Sequence, residues 1–102
     1  MELIITDRAE RDLDLRAAFW EENSSGLGME YLIHLSEQLQ ILSEISEAAT
    51  FSNSGHPFHR FLTVKFSTQV FYEVKESQVI IHAVFDCRED PSKIREEISR
   101  RR

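Results

Sequence analysis

A chain of 102 residues with a net charge of −6, 41% apolar and 29% charged, has the make-up of one globular domain able to bury a single core. Its longest apolar run, Val79 to Phe85, is interrupted by His82 and falls far short of the roughly 20 residues that a membrane span needs. The opening MELIITDR lacks the apolar stretch of a secretory signal, and the lone Cys87 offers no disulfide framework, so one domain over 1–102 in a cytoplasmic setting is expected.

Glu2-Leu-Ile-Ile-Thr6 reads as a short buried strand, apolar on both faces. A helix follows, with Asp7 as its N-cap and Glu10 three residues on in a capping-box-like pattern. Ala9, Leu13, Ala17 and Trp20 form its inward stripe. Two serines and two glycines in Asn23-Ser-Ser-Gly-Leu-Gly28 break it. A second helix is predicted from about Met29 to Ala48, with Leu32, Leu35, Leu39, Leu42 and Ile45 at three- and four-residue steps. The short loop makes the pair an antiparallel hairpin. Thr50 to Pro57 reads as an irregular connection.

From residue 58 the period changes from helical to alternating. Phe58–Lys65, Thr68–Lys75 and Gln78–Asp86 are three strand-like runs joined by very short breaks, which allows only an antiparallel meander. Two-residue turns at Phe66-Ser67 and Glu76-Ser77 place Phe61, Val70, Tyr72, Val74, Val79, Ile81, Ala83 and Phe85 on one apolar face, against the helices. The opposite face receives Arg60, Leu62, Val64, Phe71, Glu73, Ile80, His82, Val84 and Asp86, with Arg60 across from Glu73. Asp90-Pro91 reads as an N-cap with proline at the first helical position. A short helix with Ile94 and Ile98 on one side then ends in Arg100-Arg-Arg102, residues suited to the negative end of its dipole. The fold class is α+β: strand, two-helix hairpin, three-stranded meander, short C-terminal helix.

Several segments are similar to those of the RelE/ParE toxin superfamily. Ala9-Glu10-Arg11-Asp12-Leu13 resembles its opening helix, and Phe19-Trp-Glu-Glu22 with Gly26-Leu-Gly28 its aromatic–acidic helix end and turn. His59-Arg60-Phe61-Leu62, Phe66-Ser67 and Val70-Phe71-Tyr72-Glu73-Val74 resemble its meander, and Ala83 to Pro91 its closing motif. Asp86 and Glu89 stand where His and Arg are frequent, and His59 replaces the first of two basic residues, so all three lower the positive charge. The resemblance implies the toxin of a type II toxin–antitoxin system, with a cognate antitoxin as partner. ParE-like members resemble inhibitors of DNA gyrase that act by binding, and RelE-like members resemble ribosome-dependent messenger-RNA endonucleases. A homologue that has lost toxicity but keeps its antitoxin is a third possibility, and a homodimer is a possible assembly.

The residues themselves discriminate between these readings. Residues 1–54 carry a charge of −8 and residues 55–102 carry +2, so any nucleic-acid surface is local and lies in the second half. RNA cleavage needs phosphate neutralisation and a group to move a proton, yet beyond Arg88 there is no Tyr, His or Cys. Tyr72 falls on the core face. The candidate binding residues are therefore Arg60, Arg88, His82 and Asp86, surrounded by the acids Glu73 and Glu89, with no catalytic residue nominated. His56 and His59 have a spacing seen in metal sites but lack a third ligand, so neither metal nor cofactor is expected. The reading favoured is a ParE-like binding toxin.

Overall fold

The computed structural model describes residues 2–45 and 58–101, leaving out the Ile45 side chain. The expected helix end at Ala48, the 50–57 connection, His56 and Arg102 lie outside the described residues. The elements are β1 (Glu2–Ile5), α1 (Asp7–Asn23), α2 (Leu27–Ile45), β2 (His59–Thr63), β3 (Thr68–Lys75), β4 (Gln78–Asp86) and α3 (Pro91–Ser99). They form the expected α+β fold, and no described helix is long and apolar enough to cross a membrane.

Thr6, one residue before the expected Asp7, caps α1. Its Oγ1 accepts from Ala9 N–H at 3.2 Å and donates to the Ile81 carbonyl at 3.0 Å. Asp7 sits instead in the first turn, where its charge suits the helix dipole. Ala9, Leu13 and Ala17 are buried, and Trp20 packs at the rim of the same core. On α2 the leucine stripe is joined by Tyr31, which is completely buried.

The tight turn between the helices explains its glycines. Gly26 has φ +88°, a conformation that side chains rarely adopt. A Cβ on Gly28 would lie 2.7 Å from the Ala17 carbonyl oxygen, so α2 can start at Leu27 and still cross α1 closely. The Glu21 carboxylate accepts from Gly26 N–H at 3.0 Å and Gly28 N–H at 2.9 Å. Those two bonds hold its pKa below the usual carboxylate range.

The sheet order is β1-β4-β3-β2, with β1 parallel to β4 and the other pairs antiparallel. β4 is thus central, as its two apolar faces imply. The β3–β4 turn is the expected Glu76-Ser77 pair, both at positive φ. The β2–β3 connection is longer than expected. Thr63 pairs with Thr68 across a short 3₁₀ turn, so Arg60 lies opposite Phe71 and not Glu73. The shift of two residues preserves the faces. It is driven by Phe66, which packs edge-on against Trp20 and Tyr31, while Thr63 and Thr68 hydroxyls donate to the loop carbonyls of Lys65 and Phe66.

A second correction changes the faces themselves. Tyr72 pairs with Ile81 but Phe71 pairs with Ala83, leaving His82 as an extra residue in β4. This β-bulge inverts the alternation after it. Ala83 and Phe85, expected against the helical hairpin, instead join Phe58, Phe71, Ile94 and Ile98 in a separate core under α3. Val84 turns into the main core and Asp86 turns with it toward α1. Phe61, Tyr72 and Ile81 keep their expected face.

The bulge is held by a pair of distant side chains. Val84 N–H donates to Asp12 Oδ2 at 3.0 Å, and the His82 carbonyl accepts from Arg101 Nη1 at 3.2 Å. Asp12 and Arg101 are themselves ion-paired at 2.5 Å, their side chains 10% and 9% exposed. Arg101 therefore folds back over Phe85 rather than extending past the helix, contrary to the expected dipole role. Arg100 stays outside, paired to Glu96. Asp90 caps α3 as expected, accepting from Ser92 N–H at 3.0 Å.

Two outcomes check this packing by urea unfolding. Asp12→Ala leaves the buried Arg101 guanidinium with Glu97 as its one remaining carboxylate and strands the Val84 N–H, and should cost about 3 kcal/mol. Asp12→Leu combined with Arg101→Met should recover part of that loss. Gly28→Ala should cost about 1–3 kcal/mol, because a backbone carbonyl and not a mobile side chain must move.

Candidate functional site

β4 ends at Asp86, and the turn that follows brings four charged groups together. The Asp86 carboxylate accepts from Arg88 Nε at 2.9 Å, Arg88 Nη2 at 2.7 Å and the Arg88 backbone N–H at 2.8 Å. Arg16 of α1 is ion-paired to Glu89, whose carboxylate also accepts from Asp86 N–H. The Arg88 guanidinium lies 5.9 Å from the Phe19 ring centre and 5.5 Å from that of Trp20, within cation–π range. Arg88 is 59% exposed while Asp86 is only 10% exposed. The fixed carboxylate thus orients a presented, planar cation.

The electrostatics follow from these bonds. Hydrogen bonds from Arg88 hold the Asp86 carboxyl below the usual range, despite opposing burial. Asp86 in turn raises the Arg88 guanidinium further above its ordinary value. The surface is therefore aromatic and internally neutralised. It can offer flat stacking area and spare guanidinium donors to a protein, but little net field to a phosphate chain.

The other candidates lie elsewhere. Arg60 projects from the opposite face of the sheet, into a cleft between β2 and α3 with Leu62, Phe71, Cys87 and Arg95. His82, in the bulge, bonds Glu73 at 2.8 Å and stacks on Phe58 at 4.5 Å between ring centres. The structure therefore brings Asp86 and Arg88 together, places Arg60 in a different cleft, and ties His82 into the sheet surface. Both tyrosines are in the core: burial pushes the Tyr31 phenol up to about 12 and raises that of Tyr72. Among the described residues no three His, Cys, Asp or Glu side chains gather as a metal site would require.

Sequence reasoning missed Arg16 and Arg95. Arg16 lies one residue from the buried Ala17, so it sits at the margin of the α1 stripe, a position from which it reaches the sheet end. That much was legible. Its partner was not, because Glu89 faces it only as a consequence of the bulge.

Comparison with known proteins bears on the fold. No family model and no curated protein matches the chain. Among solved structures, a chain of the chromosomal ParDE toxin–antitoxin system of P. aeruginosa superposes with a TM-score of 0.69 at 18% identity. That match covers 84% of this chain and 95% of the other. The isolated RelE toxin of E. coli superposes with a TM-score of 0.55 at 16% identity, over 97% of this chain and 96% of that one. The chain has the RelE/ParE fold. At these identities the likeness concerns the backbone path, and the side chains of the site speak for themselves.

The Asp86–Arg88 pair gives a pH signature. A carboxyl whose folded pKa is depressed contributes stability above its unfolded value, about 3.9, and loses it as pH falls through the folded value. Carbonyl-carbon NMR should find Asp86 titrating below about 3.9 in the wild type. In Arg88→Met the titration should move upward, because burial then acts unopposed by the guanidinium.

Proposed function

We propose that the chain is the toxin of a type II toxin–antitoxin pair, ParE-like in acting by binding, and neutralised in the cytoplasm by a cognate antitoxin. The fold is compatible with either superfamily activity, so the site must decide. The observation that carries the reading is the internal neutralisation of the arginine cluster. Asp86 occupies the Nε–Nη2 donor edge of Arg88, and Glu89 occupies Arg16. A scissile phosphate placed there would meet carboxylates in equal number.

Proton transfer is equally poorly provided. Tyr31 and Tyr72 are enclosed with raised pKa values. His82 is engaged by Glu73 and covered by Phe58. An exposed Arg88 framed by Phe19 and Trp20 has instead the composition of a protein-binding hot spot. DNA gyrase is the target that the ParE-like reading nominates, and a short upstream gene product is the nominated antitoxin.

Inducible expression of the wild type, Arg88→Ala and Phe19→Ala tests the reading, with growth, plasmid supercoiling and message integrity followed together. Wild type should arrest growth and perturb supercoiling with translated messages intact. Both variants should weaken the arrest, and co-expression of the neighbouring gene should abolish it and yield a co-purifying complex. In-frame cleavage of translated messages would establish the ribonuclease reading in its place. Unaffected growth in all strains would establish a silent homologue.

A further inference from the structure

The turn between β2 and β3 carries backbone strain that its length does not demand. Phe66 has φ +65° and Ser67 φ +44°, the left-handed region that residues with a side chain rarely adopt. Glu76 and Ser77 share this feature, but a two-residue hairpin turn requires it of them. Between the paired Thr63 and Thr68 lie four residues. Loops of that length are most often built around a type I turn, which asks positive φ of neither central residue. A phenylalanine held there is an outlier, and such outliers gather where the surrounding structure maintains a functional geometry.

What holds Phe66 in place also reaches the Arg88 site. Its ring meets Trp20 edge-on at 5.1 Å between centres and Tyr31 at 5.3 Å. Trp20 is edge-on to Phe19 at 5.3 Å, and both rings face the Arg88 guanidinium. The backbone of the turn makes a second connection. The Ser67 carbonyl accepts from Cys87 N–H at 2.7 Å, and Cys87 stands between Asp86 and Arg88. Thr68, the next residue, is the ladder partner of Asp86. The turn is itself pinned, because the Thr63 and Thr68 hydroxyls donate to the Lys65 and Phe66 carbonyls. The aromatic wall and the chain direction at Arg88 thus both lead back to residues 66 and 67. Glycine at 66 would suit the backbone but forfeit the ring.

We propose that the Lys65–Ser67 turn is a positioning clamp for Arg88: the Phe66 ring sets the aromatic wall, and the Ser67 carbonyl sets the direction in which the chain leaves β4. Both act through other residues, Trp20 and Cys87, and the groups that meet the partner remain Arg88 and Phe19. The clamp keeps the guanidinium stacked with its Nε–Nη2 edge on Asp86, so a partner meets one orientation. Preorganisation of this kind raises affinity by lowering the ordering that binding requires. This rests on the binding-toxin reading, since a partner is what the orientation serves, but the clamp can be tested on the chain alone.

Hydrogen exchange by NMR on the full chain reads the clamp at two reporters, the Arg88 Nε–H that Asp86 accepts and the Cys87 N–H that Ser67 accepts. In the wild type the Cys87 amide should be protected, and exchange at the rate of an unstructured amide would overturn the proposal. Phe66→Leu keeps an apolar side chain without the ring, and Phe66→Gly relieves the backbone without the ring. Both should speed Arg88 Nε–H exchange about two- to fivefold, the range set by loss of one exposed cation–π contact. Phe66→Tyr keeps the ring and should match the wild type. Ser77→Gly, at the other turn with positive φ, should leave both reporters unchanged. A purely structural Phe66 would move only the slowest core amides, which report global unfolding, and that result would sink the clamp. So would an Arg88 response to Ser77→Gly as large as that to Phe66→Leu. If one Phe66 variant does not fold, the other carries the comparison; failure of both would make Phe66 a structural residue and count against the proposal. Growth arrest separates the clamp from the toxin reading. If wild type and Phe66→Leu arrest growth equally and the Arg88 reporter is unmoved, the clamp alone fails. If the reporter moves as stated and the wild type does not arrest growth, the toxin reading alone fails.

Discussion

The ion pair between Asp12 and Arg101 is the contact on which the rest of the site depends. β1 pairs with β4 only as far as Ile81. Beyond that point the strand carries an extra residue, and its peptide groups need partners that the ladder does not supply. Asp12 from α1 takes the Val84 N–H, and Arg101 from beyond α3 serves the His82 carbonyl. One pair thus joins the first helix, the central strand and the last helix. A buried ion pair often contributes little net stability compared with an apolar pair of the same shape. Here it sets direction. With His82 accommodated, Val84 and Asp86 face α1 while Ala83 and Phe85 face α3.

Much of this architecture was legible in the sequence, and its limits have a physical cause. β3 and β4 could be read to the residue, because a two-residue turn and strict alternation are local signals. The cap of α3 was legible because Asp90 and Pro91 are adjacent. The inward stripes of α1 and α2 followed from spacing alone. What could not be read was the bulge, since Asp12 lies 72 positions from the Val84 N–H that it accepts and 89 from the Arg101 with which it pairs. From that one hidden residue came the misassigned faces of Ala83 to Asp86. Arg88 and Asp86 were both legible as candidates, and they stand within two residues of each other. Arg16 and Glu89 needed the fold before they could meet.

The two arginine environments on either side of the β4 end differ in kind. On the α1 side Arg88 is fixed by a bidentate carboxylate and faces two aromatic rings, so it presents shape with little net field. On the α3 side Arg60 and Arg95 line a cleft with Leu62 and Ile94, and among the described residues neither forms an ion pair. Glu89 lines both regions, and its commitment to Arg16 keeps the first neutral and the second positive. A modest local charge therefore emerges on a protein whose overall balance is acidic.

The parallel pairing of β1 with β4 also sets an order of events during synthesis. Residues 2–5 find their ladder partners only when residues 78–81 have been made. At ribosomal speeds of about 5–20 residues per second, that separation amounts to a wait of roughly 4–15 s. Until then the hairpin of helices lacks the central strand that it covers, and α3 has yet to be made. Closure of so distant a contact is also intrinsically slow. The newborn chain therefore passes through an interval in which its apolar faces are open and its sheet is incomplete. That interval ends only when the central strand is in place.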